Sequence, residues 1–368
     1  MAPGPRGSTM LAALAAVALQ AGCGGASDGG PGDGDGGAGG GGGSLAGLHA
    51  VGNRILDAGG QEVRIRGVNR SGTEYACIQG WGIFDGPSDA ASIQAIASWR
   101  ANAVRVPLNE DCWLGINGVA SAHGGASYQQ AIADYVEVIA QAGLLAILEL
   151  HWSAPGTQPA SGQAPMPDRD HSPAFWSQVA GAFKNHPSVV FELFNEPYPD
   201  SNGDTDAAWT CWRDGGQCAG VGYAAAGMQE LVDAVRGAGA ENLILLGGVQ
   251  YSNALGGWLA HRPDDPAGNL AAAWHVYNFN LCAGTGCYDQ KVAPVLAEVP
   301  VVATEIGEDD SQGQFIETLM DWLDARGGGY LAWVWDTWNT PLVLIGSYDG
   351  TPAGAYGQAY RDHLAALP

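Results

Sequence analysis

Residues 189–197 read Val189-Val190-Phe191-Glu192-Leu193-Phe194-Asn195-Glu196-Pro197. A short run of β-branched and aromatic residues that stops at a polar pair and a proline fits a buried strand, and it is too short for a helix. Seven comparable runs stand at 63–69, 103–108, 145–151, 243–249, 271–277, 300–306 and 330–335. Helical patterns lie between them. Ile93, Ile96 and Trp99 share a face within 88–100, and Ile132, Tyr135, Val136 and Ile139 share one within 127–142, which stops at Gly143. Ser172-Pro173 is a cap followed by a first-turn proline, opening a helix that carries Trp176, Val179 and Phe183. Met228, Leu231, Val232 and Val235 form another stripe; Phe315, Leu319, Trp322 and Leu323 form one more, and 356–367 the last. Eight strand-then-helix units predict an α/β chain folded as a (β/α)8 barrel, the TIM barrel. Residues 45–62, with Asn53, Asp57 and Gly59-Gly60 as turn residues, predict an N-terminal β-hairpin that caps the barrel bottom.

In this architecture the reactive side chains gather at the C-terminal ends of the strands. Strand 2 contains Arg105. Strand 3 ends Glu149-Leu150-His151-Trp152, strand 4 Phe194-Asn195-Glu196-Pro197, and strand 6 Trp274-His275-Val276-Tyr277. Strand 7 ends Thr304-Glu305-Ile306-Gly307, and strand 8 contains Trp333 and Trp335. Polar groups at the ends of so many apolar strands are costly unless they meet one another. Glu196 and Glu305 would face each other across the barrel mouth. Paired carboxylates on a cleft are the apparatus of glycoside hydrolysis: one gives a proton to the leaving oxygen, the other attacks the anomeric carbon. Their environments must push the two pKa values apart. Arg105 and Tyr277 are suited to hold one glutamate ionised, and a more enclosed second glutamate, beside its charged twin, would keep its proton. His275 and Tyr277 share a face by strand period. Asn109-Glu110 repeats the Asn-Glu pair on strand 2 without the proline and reads as loop structure.

Around these residues, over roughly 50–365, the chain resembles glycoside hydrolase family 5, the cellulase-type retaining hydrolases with glutamates on strands 4 and 7. The most specific match is Phe191-Glu192-Leu193-Phe194-Asn195-Glu196-Pro197. The resemblance implies that Glu196 is the acid/base, Glu305 the nucleophile, and Asn195 the ligand of the sugar 2-hydroxyl. It implies supporting roles for Arg105, His151, His275 and Tyr277. The strand-8 platform tryptophan maps to Trp335, with Trp333 or Trp338 as alternatives in the same register. The expected reaction is double displacement on a β-linked polysaccharide, with the carboxyls roughly 5–5.5 Å apart. A β-1,4-glucan cleaved internally is the first substrate expected. Mannan, xyloglucan and β-1,3-glucan stay open, because the family spans them and the loop 71–87 lies outside its general pattern. Trp81, Trp113, Trp152, Trp209, Trp212 and Trp338 lie on loops after strands and are candidates for packing on sugar rings. The rival from another class is a glycan-binding lipoprotein without turnover.

Composition sets the outer limits. The chain has 368 residues, 15 Lys+Arg against 38 Asp+Glu and a net charge of −23. Lys184 and Lys291 are its only lysines, which excludes a basic nucleic-acid surface. No apolar run of membrane-spanning length follows residue 23. Residues 1–23, with Arg6 before an apolar stretch at 11–19, read as a lipoprotein-type signal peptide in which Cys23 is the lipidation candidate. Residues 24–44 read as a glycine-rich flexible linker, and 45–368 as the catalytic domain. The protein is therefore expected at the cell surface or secreted, touching the membrane only through that anchor, and acting as a monomer. The remaining six cysteines suggest disulfides in an exported chain. Short spacings favour Cys211–Cys218 and Cys282–Cys287, which leaves Cys77–Cys112, although six cysteines allow 15 pairings. None has CxxC spacing, and no acidic or histidine cluster has ligand spacing, so neither metal nor cofactor is expected.

Overall fold

Alternation along each strand builds the barrel. The computed structural model describes residues 45–368; the signal peptide, Cys23 and the linker expected at 1–44 lie outside the described residues. Eight parallel strands close in chain order: β1 (Arg66–Asn69), β2 (Ala103–Asn109), β3 (Leu145–Trp152), β4 (Val189–Glu192), β5 (Ile244–Gly247), β6 (Leu270–Tyr277), β7 (Val301–Gly307) and β8 (Gly329–Ala332). Each is followed by at least one helix: α1 (Ala90–Ala97), α2 (Ala126–Gln141), α3 (Ser172–Phe183), α4 (Met228–Gly237), α5 (Trp258–His261), α6 (Ala293–Leu296), α7 (Gln314–Asp324) and α8 (Gly354–Ala366). Two of the stripes expected from sequence are buried faces: Ile132, Tyr135, Val136 and Ile139 on α2, joined there by Tyr128, and Met228, Leu231, Val232 and Val235 on α4. Asp89 caps α1 by accepting from the Ser92 amide.

Two hydrophobic layers result. The outer one lies between strands and helices. The inner one fills the lower barrel with inward-pointing Ala103, Leu145, Ile147, Val190, Leu245, Ala273, Val302 and Leu331. Burying each of the larger aliphatic side chains contributes about 1.5–3 kcal/mol. The hairpin expected at the N-terminus pairs His49–Val51 with Arg54–Leu56, and its Ile55, with Leu48 just before it, joins the inner layer, closing the bottom.

The upper barrel is the same pattern continued with different chemistry. Two residues beyond an inner-layer side chain stand Arg105 after Ala103, Glu149 after Ile147, Glu192 after Val190, His275 after Ala273 and Thr304 after Val302. Period-two alternation points all of them inward. One irregularity adds to the set. Pairing between β6 and β7 runs Ala273↔Val302 and then His275↔Glu305, so one extra residue is inserted on β7. That bulge lets the adjacent Thr304 and Glu305 both reach the barrel interior.

Three strands end earlier than their sequence suggests, β5 among them, which stops at Gly247 rather than Val249. β4 leaves the ladder after Glu192 rather than Asn195, and β8 after Ala332 rather than Trp335. The three cysteine pairs form as expected: Cys77–Cys112, Cys211–Cys218 and Cys282–Cys287. Among the described residues no helix is long and apolar enough to cross a membrane.

Candidate active site

Arg105 is the hub of the polar layer. Its side chain is fully buried, and its guanidinium spends its N–H groups on four neighbours. Nε donates to Glu192 Oε2 at 2.6 Å, Nη1 to Glu305 Oε1 at 2.6 Å and to Asn69 Oδ1 at 2.9 Å, and Nη2 to Asn195 Oδ1 at 3.0 Å. Glu149 Oε2 lies 3.4 Å from Nη2. Burial opposes the guanidinium charge, but Glu149, Glu192 and Glu305 outweigh it and hold the proton more firmly than usual. Arg105 is thus both an interior ion-pair partner and a direct contact of the expected nucleophile.

Glu305 is gripped at both oxygens. Oε1 accepts from Arg105, and Oε2 accepts from the Tyr277 hydroxyl at 2.5 Å. His275 Nδ1 stands 3.6 Å from Oε2. Burial works to raise its pKa; the charges of His275, Arg105 and His151, with the Tyr277 hydrogen bond, win and hold the carboxyl below its ordinary value. Tyr277 is pushed the other way, by burial and by the charge of Glu305, so its phenol keeps the proton it donates.

Glu196 sits just past the end of β4. Its Oε1 lies 2.9 Å from His275 Nδ1, and its Oε2 accepts from Gln163 Nε2 at 2.5 Å. The expectation that this glutamate is the more enclosed of the two is corrected: its side chain is 17% exposed, against 5% for Glu305. The reason is the early end of β4, which sets Glu196 on the rim while Glu305 still belongs to its strand. One oxygen of each carboxyl and one ring nitrogen of His275 all lie within 4.8 Å of one another.

The two glutamates line a cleft of about 320 Å³ together with His151, Asn195, Tyr277 and Trp333, and His275 is buried behind them. His151 Nδ1 lies 2.9 Å from Glu149 Oε2, and the imidazole stacks on Trp333 at 5.7 Å between ring centroids and 11° between planes. The assignment of Trp335 to the platform position is corrected. Trp335 is fully buried and packs edge-on against Trp99, whereas of these two tryptophans after β8 it is Trp333 that lines the cleft. With the ladder ending at Ala332, the Trp333–Trp335 stretch no longer follows strand geometry.

The loop tryptophans divide the same way. Trp113, Trp209 and Trp212 are buried in the core and offer no face to a ligand. Trp152 lines the cleft, and Trp81, Trp152 and Trp338 gather round Tyr75 with centroids 5.9, 6.3 and 6.0 Å away. A second aromatic group flanks Glu196: Tyr198 packs on Tyr251 at 4.6 Å, and both Tyr251 and the exposed Phe279 line the cleft. Asn109-Glu110 takes no part. Asn109 caps a short helix by accepting from the Cys112 amide, and Glu110 is buried against Ser172.

Sequence reasoning missed Glu192, Thr304, Asn69 and Gln163 as members of this network, and held Trp333 only as an alternative to Trp335. A charged residue inside an apolar strand was a usable signal for Glu192, since it is costly unless paired. Thr304 carried no such signal, because the bulge that aims it is a tertiary feature.

The cellulase model of glycosyl hydrolase family 5 matches residues 56–339. The chain belongs to glycosyl hydrolase family 5. Relatives include a mannan endo-1,4-beta-mannosidase of Streptomyces lividans, 24% identical over 303 residues, covering 79% of this chain and 67% of the relative. An endoglucanase of Paenibacillus polymyxa is 24% identical over 339 residues, covering 86% and 76%. Among solved structures, the beta-glucanase SdGluc5_26A of Saccharophagus degradans superposes with a TM-score of 0.67 at 20% identity, covering 87% of this chain and 93% of that one. That beta-glucanase has also been solved in complex with cellotetraose. Family 5 membership makes this chain an O-glycosyl hydrolase.

Proposed function

We propose that the protein is a retaining endo-β-1,4-glucanase. The observation that carries the mechanism is that one carboxyl oxygen of Glu196 and one of Glu305 lie within 4.8 Å of each other. Retaining hydrolases keep their carboxyls about 5–5.5 Å apart, whereas inverting ones need about 6.5–9.5 Å to seat a water. Glu305, ionised and aimed by Arg105 and Tyr277, attacks the anomeric carbon. The glycosidic bond breaks as Glu196 passes its proton to the leaving oxygen, and a covalent glycosyl-enzyme forms. Glu196 then takes a proton from water, which attacks the same carbon and frees Glu305. Asn195, fixed by Arg105, reaches the sugar 2-hydroxyl. The two aromatic groups, one round Tyr75 and one round Tyr198, give flat faces for further rings of the same chain on either side of the scissile bond.

Glucan is preferred because the matching family model is the cellulase one and a structural neighbour binds cellotetraose. Mannan is the second reading, favoured by the mannosidase relatives. Reducing-sugar release from carboxymethyl cellulose, mannan, xyloglucan and β-1,3-glucan tests the choice, with the anomer of the first product read by NMR. The expected result is β-anomer from the glucan, and a loss on the order of 10⁴-fold or more in Glu305→Gln. Turnover on mannan alone would move the substrate. An α-anomer would overturn double displacement. Tight glycan binding with no turnover in either protein would point to the glycan-binding lipoprotein instead.

A further inference from the structure

Glu192 is fully buried at the end of β4, four residues before Glu196, and does not itself line the cleft. Its Oε2 accepts from Arg105 Nε at 2.6 Å, and its Oε1 accepts from the Thr304 hydroxyl at 2.8 Å. Thr304 Oγ1 lies 3.1 Å from His275 Nε2, and the same nitrogen is 3.6 Å from Glu192 Oε1. On its other side the ring presents Nδ1 to Glu196 at 2.9 Å and to Glu305 at 3.6 Å.

Donor accounting fixes the protons. An ionised carboxylate only accepts, so the single hydroxyl proton of Thr304 is spent on Glu192. Thr304 Oγ1 can then only accept from His275, and Nε2 must carry a proton. Nδ1 is left as the one position of the ring whose protonation can change, and it faces both glutamates of the cleft.

We propose that Glu192 is a positioning residue for Glu196: through Thr304 it pins the Nε2–H of His275 and so presents Nδ1 to the acid/base carboxyl. The proposal rests on the acid/base role given to Glu196 above. Once Glu196 has passed its proton to the leaving oxygen, Nδ1–H stands at hydrogen-bond distance from the new carboxylate, and it stays there until Glu196 takes a proton from water. Neighbouring charge supports this state. Burial alone would lower the His275 pKa, but Glu305, Glu192 and Glu196 outweigh it and push it up to about 10. Arg105 and Tyr277, both bonded to Glu305, complete the set of charged and titratable groups round the ring.

The test uses the whole protein with ¹⁵N-labelled histidine, His275 being assigned by difference with His275→Gln. Titration of the imidazole is followed in wild type, Glu192→Gln and Thr304→Val, alongside kcat and KM on the substrate found above. Thr304→Val leaves the Arg105–Glu192 pair untouched, so it decides the matter even where Glu192→Gln fails to fold. In both variants the His275 midpoint is expected to fall by about one pH unit or more. kcat should fall about tenfold or more with KM within about twofold, as befits a share of a proton-transfer contribution of 10²–10⁴. An unchanged His275 midpoint in folded Thr304→Val, whatever happens to kcat, would overturn the proposal. A wild type with no turnover but with the midpoint shift intact would overturn the hydrolase reading while leaving the Glu192–His275 link standing.

Discussion

Tyr277 and Glu305 set each other's protonation. The phenol is held protonated by the carboxylate, and the carboxylate is held ionised in part by the phenol. Removing the hydroxyl in Tyr277→Phe takes a donor from the ionised form, so the Glu305 pKa rises. The nucleophile then protonates at higher pH, and the acid limb of the kcat/KM profile is expected to move upward. A hydrogen bond to a charged group is worth about 1.5–3 kcal/mol, or about 10–150-fold in rate. A pH–rate profile of the variant with the acid limb in place would show that Arg105 and His275 alone govern Glu305. At this scale the sequence was most legible where chemistry demands a residue type: Arg105, His151, Asn195, Glu196, His275, Tyr277 and Glu305 all come to one cleft or its wall. It was least legible for Trp335, since a tryptophan serves a core and a sugar face equally well and only the path of the backbone separates them.

Elements carry the cleft through contacts that no single motif announces. The short helix Glu110–Leu114 after β2 meets the start of α3 through a buried acidic contact. Glu110 Oε2 accepts from Ser172 Oγ at 2.6 Å, and Ser172 Oγ is 3.2 Å from Asp168 Oδ2. Burial, and then the charge of Asp168, push the Glu110 pKa well above its ordinary 4.5. The folded protein therefore keeps a proton that the unfolded chain releases above about pH 4.5, so this carboxyl lowers stability progressively from that point until its raised folded value is passed. Glu110→Gln keeps the shape and removes the titration. Its Tm is expected to fall less than that of wild type between roughly pH 5 and pH 8, as followed by thermal unfolding at each pH. Parallel pH–Tm curves for the two proteins would exclude the effect. The strand-helix order was readable because each unit has its own period. The helices after β5 and β6 were not: α5 is a single turn, and α6 is the last turn of a helical run from Thr285 whose π-helical stretch Tyr288–Val292 breaks the 3.6-residue stripe.

The whole molecule carries a net charge of −23 spread over 324 described residues and the segment before them. Such an excess destabilises the folded state by self-repulsion, which salt screens: the Debye length falls from about 30 Å at 0.01 M to about 3 Å at 1 M. Tm is expected to rise as NaCl is added over that range. kcat on a neutral glycan should change little, because the ion pairs of the cleft are buried. A Tm that falls with NaCl would mean that surface ion pairs outweigh the repulsion. The same acidity agrees with a neutral substrate, since an anionic one would approach against the field.

Local pattern was enough, on its own, for the class of fold and the pair of carboxylates. Strand and helix periods, and the polar residues at strand ends, are properties of short segments, and a closed eight-unit barrel is the arrangement that buries all of them. Tertiary structure alone decided which tryptophan faces the cleft, which glutamate is the more enclosed, and that Thr304 links Glu192 to His275. Each of those depends on where a strand leaves the ladder or gains a residue, and that is set by the neighbours a strand pairs with rather than by its own sequence.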